Sequence, residues 1–222
     1  MVKLANTPDS KSGALKSLRV QVPPSAQMNN KTLNPDKELQ SYIIGLALGD
    51  GNLSNPNGRA TRLRITCDKN YPLLIKRIFY SLKLLLPDNK VSIIDREKNY
   101  LDISVNSNYL NEIIPWKVCR GSKFIQKATI PDWIKQNNKC KINCLKGLIE
   151  TDGSIYIDRG YKMIIFTTII PNLANDFYQM IISLGFTPHI YKINQKNKQN
   201  LYHIRLSKNV NEFLDLVKPE KI

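Results

Sequence analysis

The stretch "SYIIGLALGDG" (Ser41–Gly51) decides the fold of this chain. Its apolar residues recur at the spacing of an α-helix. Gly45 and Gly49 nevertheless lie four residues apart within it, although each glycine costs a helix about 1 kcal/mol relative to alanine. Small residues at this spacing share one helix face and allow a second helix backbone to approach closely. We therefore expect this helix to pack against a partner helix and to hold Asp50 at the end of their contact.

The composition favours a polyanionic partner. The 222-residue chain has 33 lysines and arginines against 18 acidic residues, which gives a net charge of +15. Such an excess is typical of proteins that bind nucleic acid. No apolar run approaches the ~20 residues that a membrane-spanning helix needs, so we expect no membrane partner. The four cysteines and two histidines lack the spacing of a zinc site.

The first helix is expected to begin in "NPDKELQ" and to run to Asp50. Asn34 is suited to the N-cap position and Pro35 to the first helical turn. Gly51 is available for a left-handed helix end. Residues 1–33 are rich in Ser, Pro, Asn and Lys, a composition that predicts an N-terminal arm or linker.

The chain predicts an α+β fold made of two pseudo-symmetric αββαββα halves. After Gly51 the apolar period becomes that of a strand, and "ATRLRITCD" alternates between an apolar and a polar, basic face. The first half spans 34–116, a connecting segment spans 117–140, and the second half spans 141–222. "YKMIIFTT" in the second half is apolar on both faces, so the sequence does not indicate which face of this strand is buried. Three markers recur at offsets of about 100 residues and indicate an internal duplication: Asp50 and Asp152, Phe79-Tyr80 and Phe177-Tyr178, and Asn111-Glu112 and Asn211-Glu212.

The two helix ends "IIGLALGDG" (43–51) and "LKGLIETDG" (145–153) correspond position by position. If the two helices pack side by side, Asp50 and Asp152 meet where both helix dipoles are also negative. This arrangement is repulsive unless a divalent cation neutralises it. A bound Mg²⁺ flanked by basic strands suits phosphodiester cleavage. The alternative is that each aspartate only caps the turn before a strand.

The paired motifs and the repeated order of elements resemble the LAGLIDADG homing endonucleases of the single-chain, two-motif type, over about residues 34–222. The first motif has Leu48 where the family often has an earlier acid, and the second has Glu150 there. That acid is not the catalytic one in the family. The resemblance implies antiparallel, saddle-shaped sheets in the DNA major groove, with the motif helices at the interface between the halves. It also implies a site-specific double-strand endonuclease that hydrolyses one phosphodiester on each strand and leaves short 3′ overhangs.

The resemblance also implies the residues of the active site. The expected cofactor is Mg²⁺, for which Mn²⁺ or Ca²⁺ can substitute, and the expected ligands are two carboxylates and two main-chain carbonyls: Asp50, Asp152, Gly49 and Thr151. Asp50 and Asp152 are the expected catalytic acids. Lys123 is the expected catalytic lysine of the first half, with Lys127 close behind it. In the second half, Lys221 is the only late candidate.

The open faces of the strands are expected to contact the DNA. Arginine suits guanine edges but is equally suited to phosphate. Asp68 could instead organise water at the active site, and the turn "QKNKQN" is expected to hold the DNA backbone. The residues expected to contact DNA are Arg62, Arg64, Thr66, Asp68, Tyr100, Asp102, Ser104, Lys127, Lys196, Lys198, His203 and Arg205.

The expected partner is double-stranded DNA, bound by a monomer. One alternative is an intron maturase of the same fold that binds intron RNA, or a protein with both functions. A second alternative is a DNA-binding regulator that reuses the fold. Retention of both aspartates favours the nuclease over either alternative. The expected location is intracellular, and the sequence does not choose between an organelle (mitochondrion or chloroplast) and bacterial or phage cytoplasm.

Overall fold

The computed structural model describes residues 32–96 and 98–221, so most of the predicted arm (1–33) lies outside the described residues. The first half contains three helices and four strands. They are α1 Lys37–Leu48, β1 Gly51–Ser54, β2 Arg62–Asp68, α2 Pro72–Leu85, β3 Val91–Asp95, β4 Tyr100–Asn106 and α3 Leu110–Ile113. None of the described helices is long and apolar enough to cross a membrane.

The second half repeats this order after a short helix, α4 (Asp132–Lys135), in the connecting segment. Its elements are α5 Asn138–Asp152, β5 Gly153–Asp158, β6 Tyr161–Thr168, α6 Pro171–Ser183, β7 His189–Ile193, β8 Leu201–Leu206 and α7 Val210–Val217. The strands form two four-stranded antiparallel sheets, in the orders β1-β2-β4-β3 and β5-β6-β8-β7. The predicted α+β class with two equivalent halves is confirmed. Helix α5 begins at Asn138, slightly before the predicted boundary at 141.

The predicted N-cap of α1 is wrong, because Asp36 rather than Asn34 takes that position. The Asp36 carboxylate accepts hydrogen bonds from the backbone N–H groups of Glu38 at 2.8 Å and Leu39 at 3.2 Å. Asn34 instead accepts from the backbone N–H of Asp36 at 2.9 Å and so shapes the turn before the helix. Asp36 is therefore the cap, because it satisfies two N–H groups of the first helical turn and Asn34 satisfies neither.

The predicted left-handed end at Gly51 is also wrong. Gly51 is the first residue of β1, and the C-cap of α1 is Gly49. A Cβ atom at Gly51 would lie 2.4 Å from both the Cα and the carbonyl oxygen of Ala47. Glycine is therefore required here by the close approach of the strand to the preceding helix, not by an unusual φ angle.

The predicted contact between the two motif helices is confirmed, and it brings their backbones together. A Cβ atom at Gly45 of α1 would lie 2.3 Å from the carbonyl oxygen of Cys144 in α5. One at Gly147 of α5 would lie 2.6 Å from the backbone nitrogen of Leu46 and from the carbonyl oxygen of Tyr42. No side chain fits between these surfaces, so the glycines fix how closely the two halves approach.

The next contact along this interface pairs Gly49 with Thr151. A Cβ atom at Gly49 would lie 1.9 Å from Thr151 Oγ1. That hydroxyl donates within its own helix, where the carbonyl oxygens of Gly147 and Leu148 lie at 2.9 and 3.1 Å. The threonine thus satisfies its polar atom locally and can pack its surface against the glycine. This contact immediately precedes the two aspartates.

Each sheet buries one face. The predicted alternation of β2 is confirmed, because Leu63, Ile65 and Cys67 are buried while the residues between them are not. The sequence does not indicate which face of strand β6 is buried. In the structure, Ile164 and Phe166 are buried and Ile165 lies on the other face. The second core also stacks Phe166 on Phe177 of α6, with ring centroids 4.1 Å apart. The opposite face of each sheet is more open, except at Asp102 and Ser104 of β4, which are buried.

The glycine contact predicts an unusual result for alanine substitution. Alanine favours an isolated helix over glycine by about 1 kcal/mol, but Gly147→Ala should destabilise this protein by about 2 kcal/mol or more because the new Cβ overpacks the interface. Urea denaturation measures the free energy of unfolding. Lys139→Ala, at an exposed position of the same helix, is the control and should change it by less than about 0.5 kcal/mol. A Gly147→Ala variant more stable than the wild type would contradict the contact.

Candidate metal and DNA-binding site

Asp50 and Asp152 meet at the adjoining ends of the two motif helices. Asp152 is the last residue of α5, and Asp50 lies between the end of α1 and β1. Burial and the neighbouring charge of Asp50 raise the pKa of Asp152 to about 6, while Lys123 and Lys221 oppose the shift. The pKa of Asp50 is also raised, because surrounding protein displaces part of its water, and the same two lysines oppose this. The predicted pairing of the two acids is thus present in the structure.

Lys123 lies at the end of α1. Its ammonium group donates to the carbonyl oxygens of Leu48 at 2.8 Å and Ala47 at 3.3 Å, and it also contacts the carbonyl of Gly49. Burial lowers the pKa of Lys123, whereas the charges of Asp152 and Asp50 raise it. Lys123 therefore occupies the negative end of the α1 dipole beside the carboxylate pair.

Lys221 occupies the equivalent position at the end of α5. Its ammonium group donates to the carbonyl oxygens of Thr151 at 2.8 Å and Gly153 at 3.0 Å. Although Lys221 lies in the segment after α7 and Lys123 in the connection between the halves, each lysine donates to the carbonyl just before a motif aspartate, that of Thr151 or that of Gly49. Of the two lysines in the final segment, Lys221 reaches the end of α5, whereas Lys218 is the C-cap of α7.

The carboxylates, carbonyls and lysines form two similar groups. One cleft of about 300 Å³ is lined by Asp50, Thr151 and Lys221, and we call this group the Asp50 side. A second cleft of about 320 Å³ is lined by Asp152, Gly49 and Lys123, and we call it the Asp152 side. Each side therefore combines an aspartate from one half with the helix-end residue of the other half.

A compact loop holds Lys123 in place. Gln126 donates to the carbonyl oxygens of Lys117 and Gly121, both at 2.8 Å, and accepts from the backbone N–H of Lys117 at 2.9 Å. The chain after this loop is fixed to α6, because Asp176 accepts from the backbone N–H of Ile130 at 2.8 Å. These contacts are not visible in any sequence pattern.

The donors at the helix ends fit a hard divalent cation. The described residues contain no cluster of three or more His, Cys, Asp or Glu side chains that could hold a metal. Two carboxylates and the carbonyls of Gly49 and Thr151 nevertheless supply the oxygen ligands that Mg²⁺ prefers, with water completing its coordination. Both carbonyls already accept from a lysine ammonium group, so each is oriented toward a positive charge.

Glu150 ties the Asp50 side to the first half. Tyr42 of α1 donates its hydroxyl to Glu150 Oε2 at 2.7 Å. Arg77 of α2 and the backbone N–H of Glu220 both donate to Oε1, at 3.2 and 2.7 Å. Burial raises the pKa of Glu150, and these donors oppose the shift. Sequence reasoning missed Arg77 and Glu220, and no local signal could have found them.

The open face of the first sheet carries the predicted basic residues. Arg62 and Arg64 are partly exposed, and Thr66 is exposed. Asp102 of β4 does not lie open as predicted, because it is only 3% exposed. Its carboxylate accepts from Thr66 at 2.8 Å and from Arg96 Nε at 2.6 Å, and the Arg64 guanidinium lies 3.7 Å away. Asp102 therefore holds the side chains of Arg64 and Arg96 rather than facing outward itself.

The remaining first-half candidates differ in exposure. Ser104 is buried, contrary to the prediction, because β4 is a central strand and Ser104 lies between Arg64 of β2 and Ser92 of β3. Tyr100 is exposed. Asp68 lines the Asp50 side and accepts from the backbone N–H of Asn70 at 2.9 Å.

The second sheet presents a different open face. His203 and Arg205 of β8 alternate with buried Ile204, as predicted. The Arg205 guanidinium lies over the Tyr191 ring at 5.5 Å, and its buried Nε has no hydrogen-bond partner in the described part of the chain. Tyr191 is exposed on β7, and sequence reasoning did not select it.

The predicted lysine contacts lie at the surface. Lys196 and Lys198 are exposed in the turn between β7 and β8, and Lys127 is exposed in the loop that carries Lys123. Lys127 has a positive φ of 51°, a conformation that ends this loop. None of the three lines the Asp50 side or the Asp152 side, so all three remain predicted DNA contacts outside these clefts.

Comparison with known proteins supports the family resemblance. A family model for a LAGLIDADG-like domain matches residues 139–218. The chain is also 24% identical over 174 residues to the ATP-dependent DNA helicase Hel308 of Thermococcus kodakarensis, a match that covers 74% of this chain. The chain spans about 15% of the length of that helicase.

Solved structures share the fold formed by the two halves. A mesophilic variant of the homing endonuclease I-DmoI has a TM-score of 0.61 at 19% identity and covers 82% of this chain and 95% of its own. I-DmoI in complex with DNA and Mn has a TM-score of 0.58 at 17% identity, covering 82% and 96%. The N-terminal LAGLIDADG domain of DUF199/WhiA has a TM-score of 0.55 at 14% identity, covering 85% and 86%. These matches confirm the predicted resemblance: the chain contains a LAGLIDADG-like domain and has the single-chain, two-motif LAGLIDADG fold.

Proposed function

We propose that this protein is a Mg²⁺-dependent, site-specific DNA endonuclease that hydrolyses one phosphodiester on each strand and leaves short 3′ overhangs. The observation that carries the proposal is the pairing of Asp50 and Asp152 between two lysine-bearing clefts. The open, basic sheet faces on either side provide a surface for a long DNA duplex. I-DmoI, which shares the fold, is a homing endonuclease whose structure has been solved with DNA and Mn.

The chain contributes position and charge to this reaction. The Asp50 side and the Asp152 side each hold one carboxylate and one lysine, so each is suited to one scissile phosphate. When bound, Mg²⁺ supplies a Lewis acid that polarises phosphate oxygens and lowers the pKa of water. Lys123 and Lys221 are placed to donate to phosphate oxygens and to stabilise the negative charge that develops on them. Displacement of the lysines from the carbonyls would free the carbonyl oxygens for the cation.

The carboxylate pair distinguishes this proposal from a protein that only binds nucleic acid. The fold itself does not decide between these functions, because one fold can carry unrelated activities. A regulator or a maturase without nuclease activity gains nothing from two acids whose repulsion helps to raise the pKa of Asp152 to about 6. Titratable groups in a cleft whose pKa values are shifted from the ordinary range are typical of catalytic and metal sites.

Neutralising either acid should stop cleavage and leave DNA binding largely intact. Asp50→Asn and Asp152→Asn each remove one carboxylate from a site that needs both charges, while the basic sheet faces are unchanged. Targets can be selected from a randomised DNA library by cleavage with Mg²⁺, and binding to the selected target can then be measured separately. Mg²⁺-dependent cleavage that survives in both variants would exclude the proposed site.

DNA affinity should depend steeply on salt concentration. If the sheet faces contact six or more phosphates, affinity should fall by about 10³-fold or more between 50 and 200 mM salt, because counterions are released on binding. Fluorescence anisotropy across this range gives the slope. Replacing Lys196 and Lys198 by alanine should flatten the slope by about one unit for each phosphate that the variant no longer neutralises. An affinity that does not change with salt would contradict binding along the DNA backbone.

The carboxylate pair should also limit the stability of the metal-free protein. Because the folded-state pKa of Asp152 is raised to about 6, the folded state binds more protons than the unfolded state between about pH 4 and 6. Stability contributed by the protonated acid is therefore lost as pH rises through this window. Without metal, Asp152→Asn should be more stable than the wild type at pH 7, by roughly 1–3 kcal/mol, and should gain little at pH 4.

Urea denaturation in EDTA at the two pH values tests this prediction. Asp215→Asn, at an exposed position of α7, is the control and should change the free energy of unfolding little at either pH. Excess Mg²⁺ should reduce the advantage of Asp152→Asn, because the cation relieves the repulsion in the wild type. An Asp152→Asn variant that is less stable than the wild type at pH 7 would contradict the proposed electrostatics.

A further inference from the structure

We propose that Arg77 of α2 is a positioning residue that holds the segment Lys218–Lys221 against α5 and so places Lys221 at the Asp50 side. The inference rests on the proposed endonuclease function and adds to it a residue far from both motifs. Arg77 belongs to the first half, whereas the segment that it holds follows the last helix of the second half. The Asp50 side would thus be completed by a contact between the two halves of the chain.

Arg77 contacts the segment at two points and α5 at a third. Its Nη1 donates to Glu150 Oε1 at 3.2 Å and to the carbonyl oxygen of Lys218 at 3.3 Å. Its Nη2 forms an ion pair with the Glu220 carboxylate. A planar guanidinium with several donors in a fixed arrangement is suited to bridging two carboxylates and a carbonyl at once.

Glu150 is the fixed point of this arrangement. It is 2% exposed, and its Oε1 accepts from both Arg77 and the backbone N–H of Glu220, the latter at 2.7 Å. A buried carboxylate strongly favours a compensating positive charge, and Arg77 is the only cation that forms an ion pair with it among the described residues. Glu220, immediately before Lys221, is therefore held through both its backbone and its side chain.

The segment needs this support because α7 ends just before it. Lys218 is the C-cap of α7 and has a left-handed φ of 50°, which turns the chain away from the helix axis. Lys221 then donates to the carbonyls of Thr151 and Gly153. Without Arg77, the segment before Lys221 would still be held by the hydrogen bond from the Glu220 N–H to Glu150. The buried Glu150 carboxylate, however, would then lack an ion-pair partner.

The Asp152 side does not share this support. Lys123 is held by the loop in which Gln126 bonds to Lys117 and Gly121, and Arg77 contacts none of these residues in the described structure. Loss of Arg77 should therefore impair only one of the two groups. A variant without it should cleave one DNA strand normally and the other slowly, so that nicked DNA accumulates.

The test is single-turnover cleavage of a selected target duplex, with each strand labelled separately. Arg77→Met and Glu220→Ala should each slow one strand about tenfold or more and leave the other within about twofold of the wild type. The slowed strand should be the one slowed by Lys221→Met, and Lys123→Met should slow the opposite strand. Glu38→Ala is the control, because it removes an exposed ion pair with Lys139 at the other end of the motif helices and should change neither rate.

Equal slowing of both strands in Arg77→Met and Glu220→Ala, or no slowing of either, would overturn the positioning role. Preferential slowing of the strand that depends on Lys123 would also overturn it. If Arg77→Met does not fold because Glu150 is left unpaired, the charge-balanced double variant Arg77→Met/Glu150→Gln gives the same readout. A wild-type protein that cleaves neither strand would instead refute the proposed endonuclease function.

Discussion

The direct contact between the backbones of α1 and α5 is the constraint on which the rest of this structure depends. At Gly45 and Gly147 the partner backbone lies where a Cβ atom would be, so no other residue permits the same approach. The contact joins the two halves and fixes their register. As a result, the residues that end the helices, Asp50 and Asp152, are set beside each other without any direct bond between them.

This geometry brings negative charges close together, and positively charged groups beside them reduce the repulsion. Two carboxylates and two negative helix ends converge, and burial together with the charge of Asp50 raises the pKa of Asp152 to about 6. In the structure, Lys123 and Lys221 place ammonium groups on the helix-end carbonyls. A site that already attracts two lysines is one at which a divalent cation and a DNA phosphate can replace those contacts. Stability given up in the metal-free protein is thus linked to the proposed chemistry.

The sequence predicted the features that repeat and missed those that arise only when distant segments meet. The two Gly-to-Asp motifs lie at equivalent positions of the two halves, about 100 residues apart, and were sufficient to predict the helix contact and the paired acids. The alternation in β2 correctly predicted its buried face. The burial of Asp102 was not predictable, because it depends on Arg96, which follows the neighbouring strand β3. Arg77 was also missed, since its partners lie more than seventy residues away.

Direct measurement of metal binding to the free protein tests the central claim that both helix ends build one shared cation site. Mn²⁺ titration followed by electron paramagnetic resonance reports binding without requiring DNA or cleavage. The account predicts that wild-type protein binds Mn²⁺, and that Asp50→Asn and Asp152→Asn each weaken binding strongly, because the remaining acid is left without its partner charge. Binding in both variants that is as tight as in the wild type would contradict the account.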